Sequence, residues 1–175
     1  LKKINGSVLW LLKDNPTASL NLKKEAEKRG VSSERIIFAN RMPQTEHLAR
    51  HKIADLFIDT FPYNAHTTCS DSLRAGLPVL TLQGETFASR VASSLLNAVG
   101  LSELITKNSY EYEQKAVELG KDLSKVISLK KKLDSNKLTK PLFNTKLFTS
   151  HIEQAYLEMY KRYNENQKPE NIEIK

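Results

Sequence analysis

The stretch that decides the fold runs from residue 54 to residue 82. Ala54-Asp55-Leu56-Phe57-Ile58-Asp59 is an apolar run of strand length. Thr60-Phe61-Pro62-Tyr63-Asn64-Ala65-His66 has the proline and asparagine of a loop. Thr67 or Thr68 can start a helix that ends at Gly76, and Pro78-Val79-Leu80-Thr81-Leu82 is a second strand. Strand, helix and strand in so short a space describe a crossover between parallel strands.

The same alternation continues on both sides. Upstream, Ser7–Leu12 reads as a buried strand closed by Asp14-Asn15-Pro16. An amphipathic helix is expected over Ser19–Arg29, with Leu22 and Ala26 four apart and Gly30 as its stop. Arg35–Ala39 reads as a strand, and after Pro43, Thr45 can cap a short helix through about His51. Downstream, Gln83-Gly84-Glu85-Thr86 leads into a helix over about Ala88–Ala98, stopped by Gly100. Asn108 and Glu111 have capping-box spacing for a helix reaching about Leu133, with a break near Gly120. A last helix is expected over about Thr149–Tyr163, with Ile152, Ala155, Tyr156, Met159 and Tyr160 on one stripe. The tail after Asn164 is polar and expected to fray. Four strands alternating with helices specify an α/β fold: a Rossmann-like parallel sheet with helices on both faces, as one domain over 1–175.

Composition narrows the function classes. At 175 residues, 39% hydrophobic and 27% charged, the chain is ordinary globular protein with enough length for a core. No apolar run reaches membrane-spanning length. One cysteine, Cys69, allows no intrachain disulfide and no multi-cysteine metal site, which points to a reducing, cytoplasmic setting. Leu1 is not followed by a charged-then-apolar leader, and the expectation is an excerpt from a longer protein. The net charge of +7 comes almost wholly from residues 120–146, where eight lysines face only Asp122 and Asp134. No aromatic residue interleaves with those lysines before Phe143, so no specific nucleic-acid platform is expected.

Open parallel sheets bind ligands beyond the carboxyl ends of their strands, which directs attention to the loop at 60–66. That loop opens a helix whose first amides lack intrahelical acceptors and carry partial positive charge, a natural phosphate site. The Thr67 and Thr68 hydroxyls and His66 would add donors. The alternative is local: Thr68 and Asp71 have capping-box spacing, and His66 can bond a loop carbonyl. Asp71 is either that cap partner or a carboxylate turned toward a ribose diol. Cys69 in the first turn is either an activated thiol or a small buried apolar residue. His47 and Arg50, three apart, share one helix face and suit a nucleobase; the alternative is solvated surface. No glycine-rich phosphate loop, no aspartate pair flanking one residue and no zinc motif occurs.

Taken together, His66-Thr67-Thr68 with Asp71, Ala75-Gly76-Leu77-Pro78-Val79-Leu80-Thr81, and Gly84-Glu85-Thr86-Phe87-Ala88-Ser89-Arg90-Val91-Ala92-Ser93-Ser94 closely resemble the C-terminal catalytic lobe of the O-linked N-acetylglucosaminyltransferase and SPINDLY-like family. Arg35–Phe38, Glu46–Leu48 and Pro141–Lys146 fit the same pattern, so the resemblance covers about residues 7–169. It implies one lobe of a GT-B fold and transfer of a sugar, with inversion and without a metal or other cofactor, to Ser or Thr of proteins. It places the nucleobase at the Met42 backbone, His47 and Arg50, the ribose at Asp71, and the diphosphate at His66, Thr67 and Thr68. Gln44 stands where N-acetylglucosaminyl members often carry a lysine near the ribose. The donor implied is UDP-N-acetylglucosamine, with GDP-fucose, used by SPINDLY-like members, as the alternative. A non-catalytic nucleotide-binding or scaffold lobe is the remaining reading. The partners implied are the nucleotide sugar, an acceptor protein, and the other lobe and helical (tetratricopeptide) repeats of the same protein. No catalytic residue is assigned within this chain, and the isolated chain is expected to be inert.

Overall fold

A computed structural model describes residues 1–174. All its strand pairings are parallel, as expected, but among the described residues there are five strands instead of four. β1 (Leu9–Leu12) pairs with β2 (Ile36–Ala39), Leu9 opposite Ile36 and Leu12 opposite Ala39. β3 (Phe57–Ile58), β4 (Val79–Leu82) and β5 (Ile105–Thr106) form a three-stranded sheet in that order. β5 has only two residues and no apolar run, so periodicity had nothing to detect. β3 is shorter than the six-residue run that signalled it; the Phe57 and Asp59 amides donate to Pro78 and Leu80, and Ala54 to Leu56 lead in without pairing.

The helices differ from expectation mainly at their ends, where caps decide. α1 (Pro16–Lys28) begins three residues early because the Asn15 side chain accepts from the Thr17 and Ala18 amides and Pro16 suits the first helical position. α2 (Gln44–Arg50) starts behind Pro43 without a side-chain cap, so Thr45 lies inside it and caps nothing. α3 (Thr67–Arg74) follows the decisive loop. Residues 87–89 form a separate tight turn, closed by a reciprocal Thr86–Ser89 capping box, before α4 (Val91–Val99). Gly100 ends α4 at φ 74°, a backbone conformation that disfavours other residues.

α5 (Ser109–Lys121) is capped by Asn108, which accepts from the Glu111 amide at 2.8 Å. The chain breaks at Asp122, which caps α6 (Leu123–Thr139) and lets it run past Leu133. α7 (Thr145–Asn164) starts four residues early because Asn144 accepts from the Leu147 amide. Beyond α7, Glu170 folds back to pair with Arg162, so the tail is tied at that point.

The core sits around β4. Val79, Leu80 and Thr81 are fully buried, and Leu73 of α3, Leu96 and Val99 of α4, Leu119 of α5 and Leu133 of α6 close over them. The β1–β2 half is thinner, with Ile36 buried and Val8, Leu12 and Ile37 exposed. The stripe on α7 is not covered by this chain: Tyr156, Met159 and Tyr160 remain exposed. The basic stretch is partly neutralised, since Lys125 pairs with Glu118, Lys132 with Glu103 and Lys137 with Asp134. No helix among the described residues is long and apolar enough to cross a membrane.

Candidate functional site

The loop after β3 is organised by the residue that ends the strand run. Asp59 is 4% exposed, and its Oδ1 accepts from the amides of Thr60 (2.8 Å) and Ala65 (2.7 Å). Its Oδ2 accepts from the Thr81 hydroxyl at 2.6 Å. Burial pushes its pKa up, opposed by these hydrogen bonds and by the nearby His66. Asn64 is buried too; its amide donates to the Ala88 carbonyl and its side-chain nitrogen to the Thr60 carbonyl.

The loop delivers His66 as the N-cap of α3. Its side chain does not cap the helix: the imidazole stacks on Tyr63 (5.0 Å between ring centres, 18° between planes) and meets Phe87 edge-on at 5.9 Å. Its Nε2 lies 3.4 Å from the Ala88 carbonyl, the local contact that the loop reading anticipated. The Cys69 and Ser70 amides both donate to the His66 carbonyl. Among the described residues the Thr67 and Thr68 amides have no protein acceptor, and both residues are exposed. The Thr68–Asp71 capping box does not form, because the helix begins two residues too early for Thr68 to occupy the cap position. Asp71 is therefore free of that local role. Cys69 is fully buried with its thiol pushed up to about 12 by burial and by the Asp59 charge, so it is a core residue and not a nucleophile.

On α2, one guanidinium nitrogen of Arg50 donates to His47 Nδ1 at 2.7 Å, and another donates to the Asn40 carbonyl at 2.9 Å. The guanidinium carbon lies 5.6 Å from the centre of the Trp10 ring, which links α2 to β1. His51 donates from Nδ1 to the His47 carbonyl at 2.8 Å and meets the His47 ring edge-on. The pKa of His47 is lowered by burial first, then by the Arg50 and His51 charges, while Asp71 opposes the shift. The charge of Asp71 on α3 is thus felt at His47 on α2. Met42 and Gln44 stand exposed just before and at the start of α2. Among the described residues no cluster of three or more His, Cys, Asp or Glu side chains is arranged to hold a metal.

Sequence reasoning did not single out Asp59, Asn64, Thr81 or Trp10. Asp59 carried a usable signal, a carboxylate closing a buried strand run at the start of a loop; the other three need the packed structure.

Known proteins match this architecture. The glycosyl transferase family 41 model matches residues 1–152. The chain is 37% identical over 175 residues to the probable UDP-N-acetylglucosamine–peptide N-acetylglucosaminyltransferase SEC of Arabidopsis thaliana, covering 99% of this chain and 18% of that protein. It is 36% identical over 163 residues to the UDP-N-acetylglucosamine–peptide N-acetylglucosaminyltransferase of Caenorhabditis elegans, covering 93% and 14%. A solved mutant of the Thermobaculum terrenum O-GlcNAc transferase superposes with a TM-score of 0.78 at 35% identity, over 87% of this chain and 30% of that one. The chain spans less than a fifth of the length of these two curated relatives. By sequence and by fold, the chain belongs to glycosyl transferase family 41.

Proposed function

We propose that this chain is the donor-binding lobe of an inverting, metal-independent protein O-glycosyltransferase, with UDP-N-acetylglucosamine as donor. The observation that carries the reading is the start of α3, where among the described residues the Thr67 and Thr68 amides have no protein acceptor and the loop delivers His66 beside them. His47 and Arg50 offer a hydrogen-bonded pair for a base, Asp71, whose charge is felt at His47, suits ribose hydroxyls, and the unpaired Thr67 and Thr68 amides suit a diphosphate. The names of the relatives, all peptide N-acetylglucosaminyltransferases, support the uridine nucleotide and the protein acceptor.

In the reaction proposed, the acceptor hydroxyl attacks the anomeric carbon from the face opposite the diphosphate. A carbon–oxygen bond to the acceptor forms as the bond to the phosphate oxygen breaks, and configuration inverts. The hydroxyl proton goes to a base or water outside this chain, since no residue here is assigned that role. This lobe's contribution is to hold the charge that grows on the departing diphosphate, through amides and hydroxyls already oriented for it. The helix dipole of α3 adds to that stabilisation and takes the place a divalent cation fills elsewhere. On this reading the isolated chain binds donor and does not catalyse.

Titration with UDP and with GDP, followed by amide NMR, tests the proposal. Shifts confined to residues around His47, Arg50, Thr67 and Thr68 with UDP are the expected result. The same shifts with GDP alone would replace the donor with a guanosine-linked sugar, the direction in which the missing cation at Gln44 points. In the longer protein, Thr68→Ala is expected to lower turnover by about 10-fold or more, the worth of one charge-assisted hydrogen bond. Unchanged turnover would remove the diphosphate from this helix.

A further inference from the structure

A carboxylate as buried as Asp59 persists only where hydrogen bonds replace its lost hydration. Both oxygens are so supplied, and the way they are supplied is informative. Oδ1 holds the amides of Thr60 and Ala65 together, which are the first and last residues of the 60–65 loop. One atom therefore closes the whole loop. Oδ2 takes the Thr81 hydroxyl of β4, and Thr81 in turn accepts from the Thr106 hydroxyl of β5 through its carbonyl at 2.9 Å. The Tyr112 hydroxyl of α5 donates to the Asp59 carbonyl at 2.6 Å, fixing the main chain at the same point. Within the loop, Thr60 Oγ1 donates to the Tyr63 carbonyl at 2.7 Å, and Asn64 reaches across to Ala88.

Ala65, the far end of this staple, immediately precedes His66, and His66 is the N-cap of α3. The position of Ala65 sets where the helix begins and where the Thr67 and Thr68 amides point. We propose that Asp59 is a positioning residue of the donor site: its carboxylate closes the 60–65 loop in the one conformation that aims the start of α3 at the donor's diphosphate. The inference rests on the donor-lobe reading above. Asp59 touches no donor atom itself; it acts through Ala65 and His66.

The test compares affinity for UDP with affinity for uridine, which lacks the phosphates, in Asp59→Ala and Asp59→Asn variants of the longer protein. Asparagine keeps an acceptor oxygen for the two loop amides, and alanine keeps none. Asp59→Ala is expected to weaken UDP by about 10-fold or more while uridine changes less than about twofold, the loss of at least one charge-assisted contact. Asp59→Asn is expected to recover most of the UDP affinity. If Asp59→Ala does not fold, Thr81→Val, which removes only the donor to Oδ2, is expected to show a smaller loss with the same preference for UDP. Equal losses for UDP and uridine, or UDP binding unchanged in Asp59→Ala, would overturn the assignment. Absence of UDP and GDP binding in the unaltered protein would instead overturn the donor-lobe reading, and this inference with it.

Discussion

Arg50 donates to Nδ1 of His47 at a distance of 2.7 Å, so the face that α2 presents is a hydrogen-bonded pair and not two independent side chains. A guanidinium can only donate, so Nδ1 of His47 must accept, and the imidazole is neutral in this arrangement. Protonating it would place two donors and two positive charges face to face.

A pH dependence follows. His47 has a pKa below its ordinary 6.5, chiefly through burial and the Arg50 charge. Its folded state binds fewer protons than the unfolded chain, so its effect on stability is absent above the unfolded pKa and becomes a penalty that grows as pH falls from that value to the lowered folded one. Nucleotide affinity is expected to hold from pH 8 to 7 and to decline below pH 6. His47→Gln is expected to flatten that decline. A titration series showing the same acid limb in both proteins would assign it elsewhere.

Gly84 is expected to resist substitution. A Cβ at this position would stand 2.5 Å from Ser89 Oγ and 2.8 Å from Ser89 Cβ, while the Gly84 amide donates to the Ser89 carbonyl. Ser89 is itself locked to Thr86 through both backbone and hydroxyl. Relief must therefore come by moving the 84–90 turn, which carries the Ala88 carbonyl beneath His66 and Phe87 beside it. Gly84→Ala should cost about 1–3 kcal/mol of stability, as overpacking does, and weaken UDP binding with it. Thermal unfolding and nucleotide titration on the same variant check both effects.

The Cys69 thiol is expected to be silent. Full burial and a pKa raised to about 12 keep it protonated across the physiological range. Ellman's reagent should leave the native protein unmodified over hours and titrate one thiol once denaturant is added. Rapid modification without denaturant would show that α3 opens locally.

The fold was legible wherever an apolar run or a capping residue spoke for itself. Val79–Leu82, buried on every side but one end, reads as a central strand because nothing polar interrupts it except Thr81, whose hydroxyl has a partner. Ile105–Thr106 was not legible, because two residues carry no period and their pairing depends on β4 being in place. Helix starts were missed where the capping side chain lay outside the expected window, as with Asn15 and Asn144. At the candidate site, residue types at helix starts drew attention to His66, Thr67 and Thr68, and i,i+3 spacing to His47 and Arg50. The influence of the Asp71 charge on His47 depends on how the chain folds between α2 and α3, which no local pattern encodes. The Thr68–Asp71 spacing misled because a capping box needs its first residue outside the helix, and α3 had already begun.

The hydrogen-bonded line from Thr106 through Thr81 to Asp59 ties β5 and β4 to the residue that follows β3 before it reaches the loop. A slip of one residue in either strand pairing would turn Thr81 or Thr106 to the opposite face and break the line. The loop then loses its tie and the start of α3 loses its aim. Competence to hold a ligand there is in this way a proofreading mark for the sheet: a molecule that has paired its strands wrongly fails at the surface and not only in the core.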